Sequence, residues 1–202
     1  MIAVSSGAGI SLLPNQFEIA TEDYALSKRV YLYTTDNSQN TWIDKFVGFA
    51  TSKAGQEVVE TTRFVAMRPH TGKSQIPSAA PEDYKKLARN AERLDVNFRF
   101  TTASSQLDNK AVSDLDRVTD LLGKPPYLGR YILLFGFADS TGTPMSNLTL
   151  SKARAETVAQ QLRQRGVSPA VVTGFGKELP VDSNDTEAGK EKNRRVEVWL
   201  RQ

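Results

Sequence analysis

Side chains able to do chemistry are sparse in this sequence, and their types exclude more than they offer. There is no cysteine, which rules out disulfides, thiolate metal sites, a cysteine nucleophile and a lipidated N-terminal cysteine. The single histidine, His70, lies between Pro69 and Thr71 with no Asp or Glu within several positions, so it reads as a solvated loop residue and not as a ligand or general base. Ser5, Ser6, Gly7 and Gly9 have the composition of an anion-binding loop, yet no strand precedes them and no helix follows, so they read as ordinary loop. No nucleophile-base pair or metal cluster is visible, and the expectation is a protein that is not an enzyme, with no cofactor and no metal. What remains is charge. Asp139 ends an apolar run and Arg154 falls within a helical pattern; taken alone the two are ordinary exposed charges, with Arg154 free to pair with Glu156 or a neighbouring helix.

The elements that must position these charges come from a chain of 202 residues, 39% hydrophobic and 24% charged, which suits one large or two small folded domains. Its 26 basic and 23 acidic residues are mixed along the chain, for a formal net charge of +3. No basic block could track a phosphate backbone, so no nucleic-acid partner is expected. No stretch approaches the roughly 18 apolar residues of a membrane span. The opening Met1-Ile2-Ala3-Val4-Ser5-Ser6-Gly7 lacks the basic and apolar regions of a signal peptide, so no export signal is expected in this chain.

Val30-Tyr31-Leu32-Tyr33-Thr34 predicts a strand; Trp42, Phe46, Phe49 and Ala50 predict a helix, and a second short helix fits Ala54 to about Thr61. Residues 67–81 carry Pro69, Pro77 and Pro81 without periodicity and predict a semi-rigid linker. Beyond it, residues 82–93 predict a leading helix with Tyr84, Leu87, Ala88 and Ala91 on its apolar face. Leu94, Val96, Phe98 and Phe100 alternate with Asp95, Asn97 and Arg99, the period of a half-buried strand. A helix over Ala111 to Leu122 is ended by Gly123 and Pro125-Pro126, and the apolar run from Tyr131 to Phe137 predicts a central strand buried on both faces. A helix from Thr149 to Arg165, a short strand from Val171 to Phe175, and a closing strand in which Val196, Val198 and Leu200 alternate with Arg195, Glu197 and Trp199 complete the pattern. The order β-α-β-α-β-(α)-β predicts an α/β sandwich with helices packed on a mixed sheet.

Five blocks follow one another along this pattern. They are Gly136-Phe137-Ala138-Asp139-Ser140-Thr141-Gly142, then Asn147, then Leu150-Ser151-Lys152-Ala153-Arg154-Ala155, then Gly174-Phe175-Gly176-Lys177-Glu178-Leu179-Pro180, and Asn193-Arg194-Arg195-Val196-Glu197. In this order they resemble the signatures of OmpA-like peptidoglycan-binding domains, over residues 94 to 202. The resemblance implies non-covalent binding of the peptidoglycan stem peptide, chiefly its diaminopimelate residue, which anchors a periplasmic or outer-membrane-associated protein to the cell wall. It implies that Asp139 fixes the ligand ammonium and Arg154 its carboxylate, with Asn147 and Leu150 in a connecting loop and Arg194 at the start of the last strand as pocket wall. Phe137 stands where the family often has His, Ala138 where it often has Thr, and Lys190 where an Arg commonly stands; Lys190 keeps the charge but loses the planar fork.

Tyr24-Ala25-Leu26-Ser27-Lys28-Arg29-Val30-Tyr31-Leu32-Tyr33, the stretch from Phe46 to Val59 and Arg63-Phe64-Val65 resemble the last third of phosphate-type periplasmic solute-binding proteins. This makes solute binding in phosphate transport or sensing the rival function. Most of both lobes of such a protein is missing, so no phosphate affinity is expected, and the chain reads as the C-terminal portion of a longer exported protein. The expected organisation is a partial, incomplete α/β segment over 1–66, a linker over 67–81 and the OmpA-like domain over 82–202. The apolar face of Trp42, Phe46 and Phe49 must then pack on the C-terminal domain, on the linker helix or on a second copy of the chain, and a homodimer through the N-terminal segment is the preferred expectation.

Overall fold

Side-chain caps set where the helices begin. In the computed structural model, which describes residues 2–6, 11–35, 40–72, 76–101 and 104–202, the order is α1 (Gln16–Ala20), α2 (Thr41–Thr51), α3 (Lys53–Glu60), β1 (Thr71–Gly72), α4 (Glu82–Ala88), β2 (Ala91–Arg99), α5 (Asn109–Leu122), β3 (Tyr131–Gly136), α6 (Pro144–Gln164), β4 (Val171–Gly174), α7 (Glu187–Asn193) and β5 (Arg195–Arg201). Asn15, Asn40, Ser52, Asp108, Thr143 and Thr186 each accept a hydrogen bond from a backbone N–H of the turn they open. Two compact units result: Met1–Ala25 together with Pro69–Gln202, and Leu26–Arg68.

The first unit is built on one mixed sheet of order β1-β2-β5-β3-β4, antiparallel except for the parallel β3-β4 pair. One face carries Leu94, Val96, Phe98, Ile132, Leu134, Val196, Val198 and Leu200 against Ala111, Leu115 and Val118 of α5 and Ala155, Val158 and Leu162 of α6. Burying a side chain of this size contributes roughly 1.5–3 kcal/mol, so this layer supplies most of the driving force. The expected β-α-β-α-β-(α)-β order is present as β2, α5, β3, α6, β4, α7, β5.

The opposite face differs from the half-buried strands expected. Arg93, Asp95, Asn97 and Arg99 of β2, and Arg195, Glu197 and Trp199 of β5, are buried too. Their cover is α4, whose Tyr84 packs on Phe135, Phe175 and Trp199, and the residues around α1. Asp23 pairs with Arg93 at 3.1 Å and Arg99 at 3.4 Å, Arg93 reaches Glu197 at 3.3 Å, and Arg195 meets Glu197 at 2.9 Å. Burial works to raise the Asp23 and Glu197 carboxyls, but the surrounding arginines outweigh it and hold both below the usual carboxylate range.

Several expected boundaries move. The stretch 67–81 contains an edge strand: Thr71 and Gly72 pair with Leu94 and Arg93, while residues 73–75 lie outside the described set. His70, half-exposed, is tied down because its N–H donates to the buried Asp95 carboxylate at 2.6 Å. The leading helix stops at Ala88, and Ala91 already belongs to β2. The compact units divide the chain at 25/26 and 68/69, not at 66/67, because the residues before 26 are drawn onto the charged sheet face. Val30–Thr34, expected as a strand, joins no ladder, and the described part of Leu26–Arg68 contains α2 and α3 without a strand.

Candidate ligand-binding site

The site forms where β3 ends against α6. A Cβ on Gly136 would fall 2.0 Å from the Ser151 carbonyl oxygen, and one on Gly174 would fall 2.3 Å from Ser151 Oγ, so both glycines exist to let α6 cross the strand ends closely. Ser151 Oγ also accepts from the Gly176 N–H at 2.9 Å, which fastens the loop after β4 to the same helix. Thr143 and Ser146 form a reciprocal cap with Pro144 in the first turn, so α6 starts five residues earlier than Thr149. Asn147 and Leu150 therefore stand on the helix and not in a connecting loop.

Asp139 lies three residues past β3. Its Oδ1 accepts from the Thr141 N–H at 2.7 Å and its Oδ2 from Arg194 Nη1 at 3.1 Å. Burial works to raise this carboxyl, but the Thr141 donors and the Arg194 cation outweigh it and hold it below the usual range. Arg194 closes α7 immediately before β5 and also donates to Glu187 Oε1 at 2.9 Å. The loops carrying these groups are tied together by Asn184, whose Oδ1 accepts from Ser140 N–H at 3.1 Å and Asn193 Nδ2 at 3.0 Å.

Arg154 is 0% exposed. Its Nε donates to the Ser104 carbonyl at 3.1 Å and its Nη1 to the Phe137 carbonyl at 3.4 Å, and the guanidinium lies 5.5 Å from the Phe100 ring centre. The alternative partner considered above, Glu156, is engaged by Arg163 instead. Among the described residues no carboxylate lies within ion-pair distance of Arg154, and its Nη2 has no hydrogen-bond partner. Burial and the neighbouring Arg194 cation push its pKa down to about 10, with Asp139 opposing. Asn147, also buried, has an unpartnered Nδ2. Leu150 is half-buried one turn ahead of Arg154 and joins none of these polar contacts. Sequence reasoning missed Glu187, Asn184 and the Asn193 side chain; Asn193 had a signal, its place in the last block. Phe137, expected as the last residue of the buried central strand, lies one residue past β3 and is fully buried among Tyr84, Phe175 and Arg195. Gly7 and Gly9 lie outside the described residues.

Residues 99–194 match the family profile described as the OmpA family. This stretch is an OmpA-family domain. Outer membrane porin F of Pseudomonas fluorescens is 33% identical over 108 residues, covering 52% of this chain and 32% of that protein. Peptidoglycan-binding protein ArfA of Mycobacterium tuberculosis is 40% identical over 86 residues, covering 42% of this chain and 26% of that protein. The crystal structure of the peptidoglycan-associated lipoprotein from Burkholderia pseudomallei is 31% identical, covers 52% of this chain and 89% of that one, and superposes with a TM-score of 0.48. The chain thus spans about a third and a quarter of the two curated relatives. The expected likeness of the N-terminal segment to solute-binding proteins gains no support, since the OmpA-family match begins after it. Among the described residues no helix is long and apolar enough to cross a membrane.

Proposed function

We propose that residues 82–202 form a non-catalytic module that grips the peptide stem of peptidoglycan and so anchors the protein to the cell wall. The observation that carries this reading is Arg154: an enclosed guanidinium that, among the described residues, has an unpartnered Nη2 and no carboxylate within ion-pair distance, beside Asp139. A buried cation of this kind calls for an anion, and the adjoining Asp139 carboxylate calls for a cation. Diaminopimelate carries both an ammonium and a carboxylate at its side-chain end, whereas lysine at the same stem position carries only the ammonium.

In this reading the ligand ammonium takes Asp139 Oδ2 from Arg194, which keeps its second partner Glu187. The ligand carboxylate takes Arg154 Nη2, with Asn147 Nδ2 as a further donor, and Leu150 and Arg194 form the wall. Because Arg154 is enclosed, the Asp139-Arg194 pair is the part of the site that must open. The names of the similar proteins, an outer membrane porin and a peptidoglycan-binding protein, support a wall ligand and a place at the wall or the outer membrane. Co-sedimentation with insoluble peptidoglycan tests the proposal. The wild type should pellet with the wall material while Asp139→Asn and Arg154→Lys stay in the supernatant with unchanged circular dichroism; wild-type pelleting by both variants would remove the pocket.

A further inference from the structure

An open groove of about 630 Å³ lies beside the Asp139-Arg154 pocket, between the start of α4, the first turns of α6 and the loop after β4. Leu87, Leu148 and Phe175 give it an apolar floor. Its rims carry Asp83 and Lys86 on one side and Lys177 and Glu178 on the other, and among the described residues none of these four has an ion-pair partner. Exposed charges that could have paired locally, and do not, are available to a ligand.

The groove and the pocket share one turn of helix. A Cβ on Gly176 would lie 3.5 Å from Leu148 N and 3.7 Å from Asn147 C, so the loop after β4 rests on that turn. Asn147 directs its Oδ1 to within 3.7 Å of the Cβ position of Gly142, on the pocket side, while the next residue, Leu148, lines the groove. Consecutive helical residues point about 100° apart, so this single turn separates two adjoining surfaces. A ligand longer than one residue, held in the pocket, meets the groove next.

We propose that the groove binds the continuation of the same peptide ligand, a carboxylate-bearing segment beyond the residue held by Asp139 and Arg154. Lys86 and Lys177 take its carboxylate, Asp83 and Glu178 accept from its backbone N–H groups, and the floor packs on its small apolar side chains. Charges of both signs around an apolar floor match a peptide; a neutral sugar would leave all four unanswered. The inference rests on the peptide-binding reading of the pocket, and the test separates the two.

Titration calorimetry compares free meso-diaminopimelate with the full stem pentapeptide, for the wild type and for a Lys86→Ser/Lys177→Ser double variant. Both lysines are exposed, so the fold is not at stake. The wild type should bind the pentapeptide more tightly than diaminopimelate. The double variant should lose roughly three- to tenfold in affinity for the pentapeptide, as expected for two exposed charge contacts, and bind diaminopimelate unchanged. Unchanged pentapeptide affinity, or equal losses for both ligands, overturns the groove proposal alone. Wild-type protein that binds neither ligand overturns the pocket reading and the groove with it.

Discussion

A guanidinium removed from water stays charged only at a cost, and something nearby must offset it. Around Arg154 the protein supplies two carbonyl oxygens and an aromatic face but, among the described residues, no carboxylate within bonding reach. The pKa of about 10 still leaves it charged at neutral pH. Ligand-carboxylate binding needs that charge, so affinity should be level across the neutral range and fall as pH rises through about 10, as a pH series of stem-peptide titrations would show. At the acid end Asp139 is not the limit: its folded value lies below the usual carboxylate range, so it remains an anion after ordinary carboxyls have begun to protonate. Replacing one charge-assisted contact should cost about 1.5–3 kcal/mol, or roughly 10- to 150-fold in affinity. Asp139→Asn and Arg154→Lys are expected in that range, and a change below twofold in either would contradict the role assigned to it.

Elements far apart in sequence explain what was legible and what was not. The nearness of Asp139, Arg154 and Arg194 to one another was legible because they sit in ordered blocks, and the sheet's apolar face was legible from alternation in β2 and β5. The start of α6 was written in Thr143, Pro144 and Ser146 but was masked by the apolar spacing that begins only near Leu150. The second face was not legible: Arg93, Asn97 and Arg99 look solvent-facing until Asp23, some 70 residues earlier, is laid against them. Local periodicity carries no information about such a cover. Asp23→Ala removes one partner of a buried network and should destabilise the first unit by about 3–5 kcal/mol, measured by urea unfolding; a loss under 1 kcal/mol would mean that α1 does not cover the sheet in solution. Because the folded Asp23 and Glu197 values are lowered, their contribution is full above the unfolded carboxylate range and is lost as pH falls through the folded values. Gly136→Ala should cost roughly 1–3 kcal/mol, because its Cβ meets backbone that cannot swing aside.

At the scale of the whole molecule, the unit Leu26–Arg68 stands apart in its exposed apolar surface. Trp42, Phe46 and Phe49 on α2 are 72%, 59% and 50% exposed, and Tyr31 and Tyr33 are exposed as well. We propose that a second copy of the chain covers this face; light scattering should show a dimer that Phe46→Glu converts to a monomer without loss of wall binding, and a strictly monomeric wild type would refute it. The account as a whole turns on the two-charge pocket. Its most direct test is calorimetric titration of the protein with two otherwise identical stem tripeptides, one with diaminopimelate and one with lysine at the third position. The account predicts binding of the diaminopimelate peptide and an affinity roughly 10- to 150-fold weaker for the lysine peptide, the loss of one charge-assisted contact to Arg154. Equal affinities for the two peptides would contradict it.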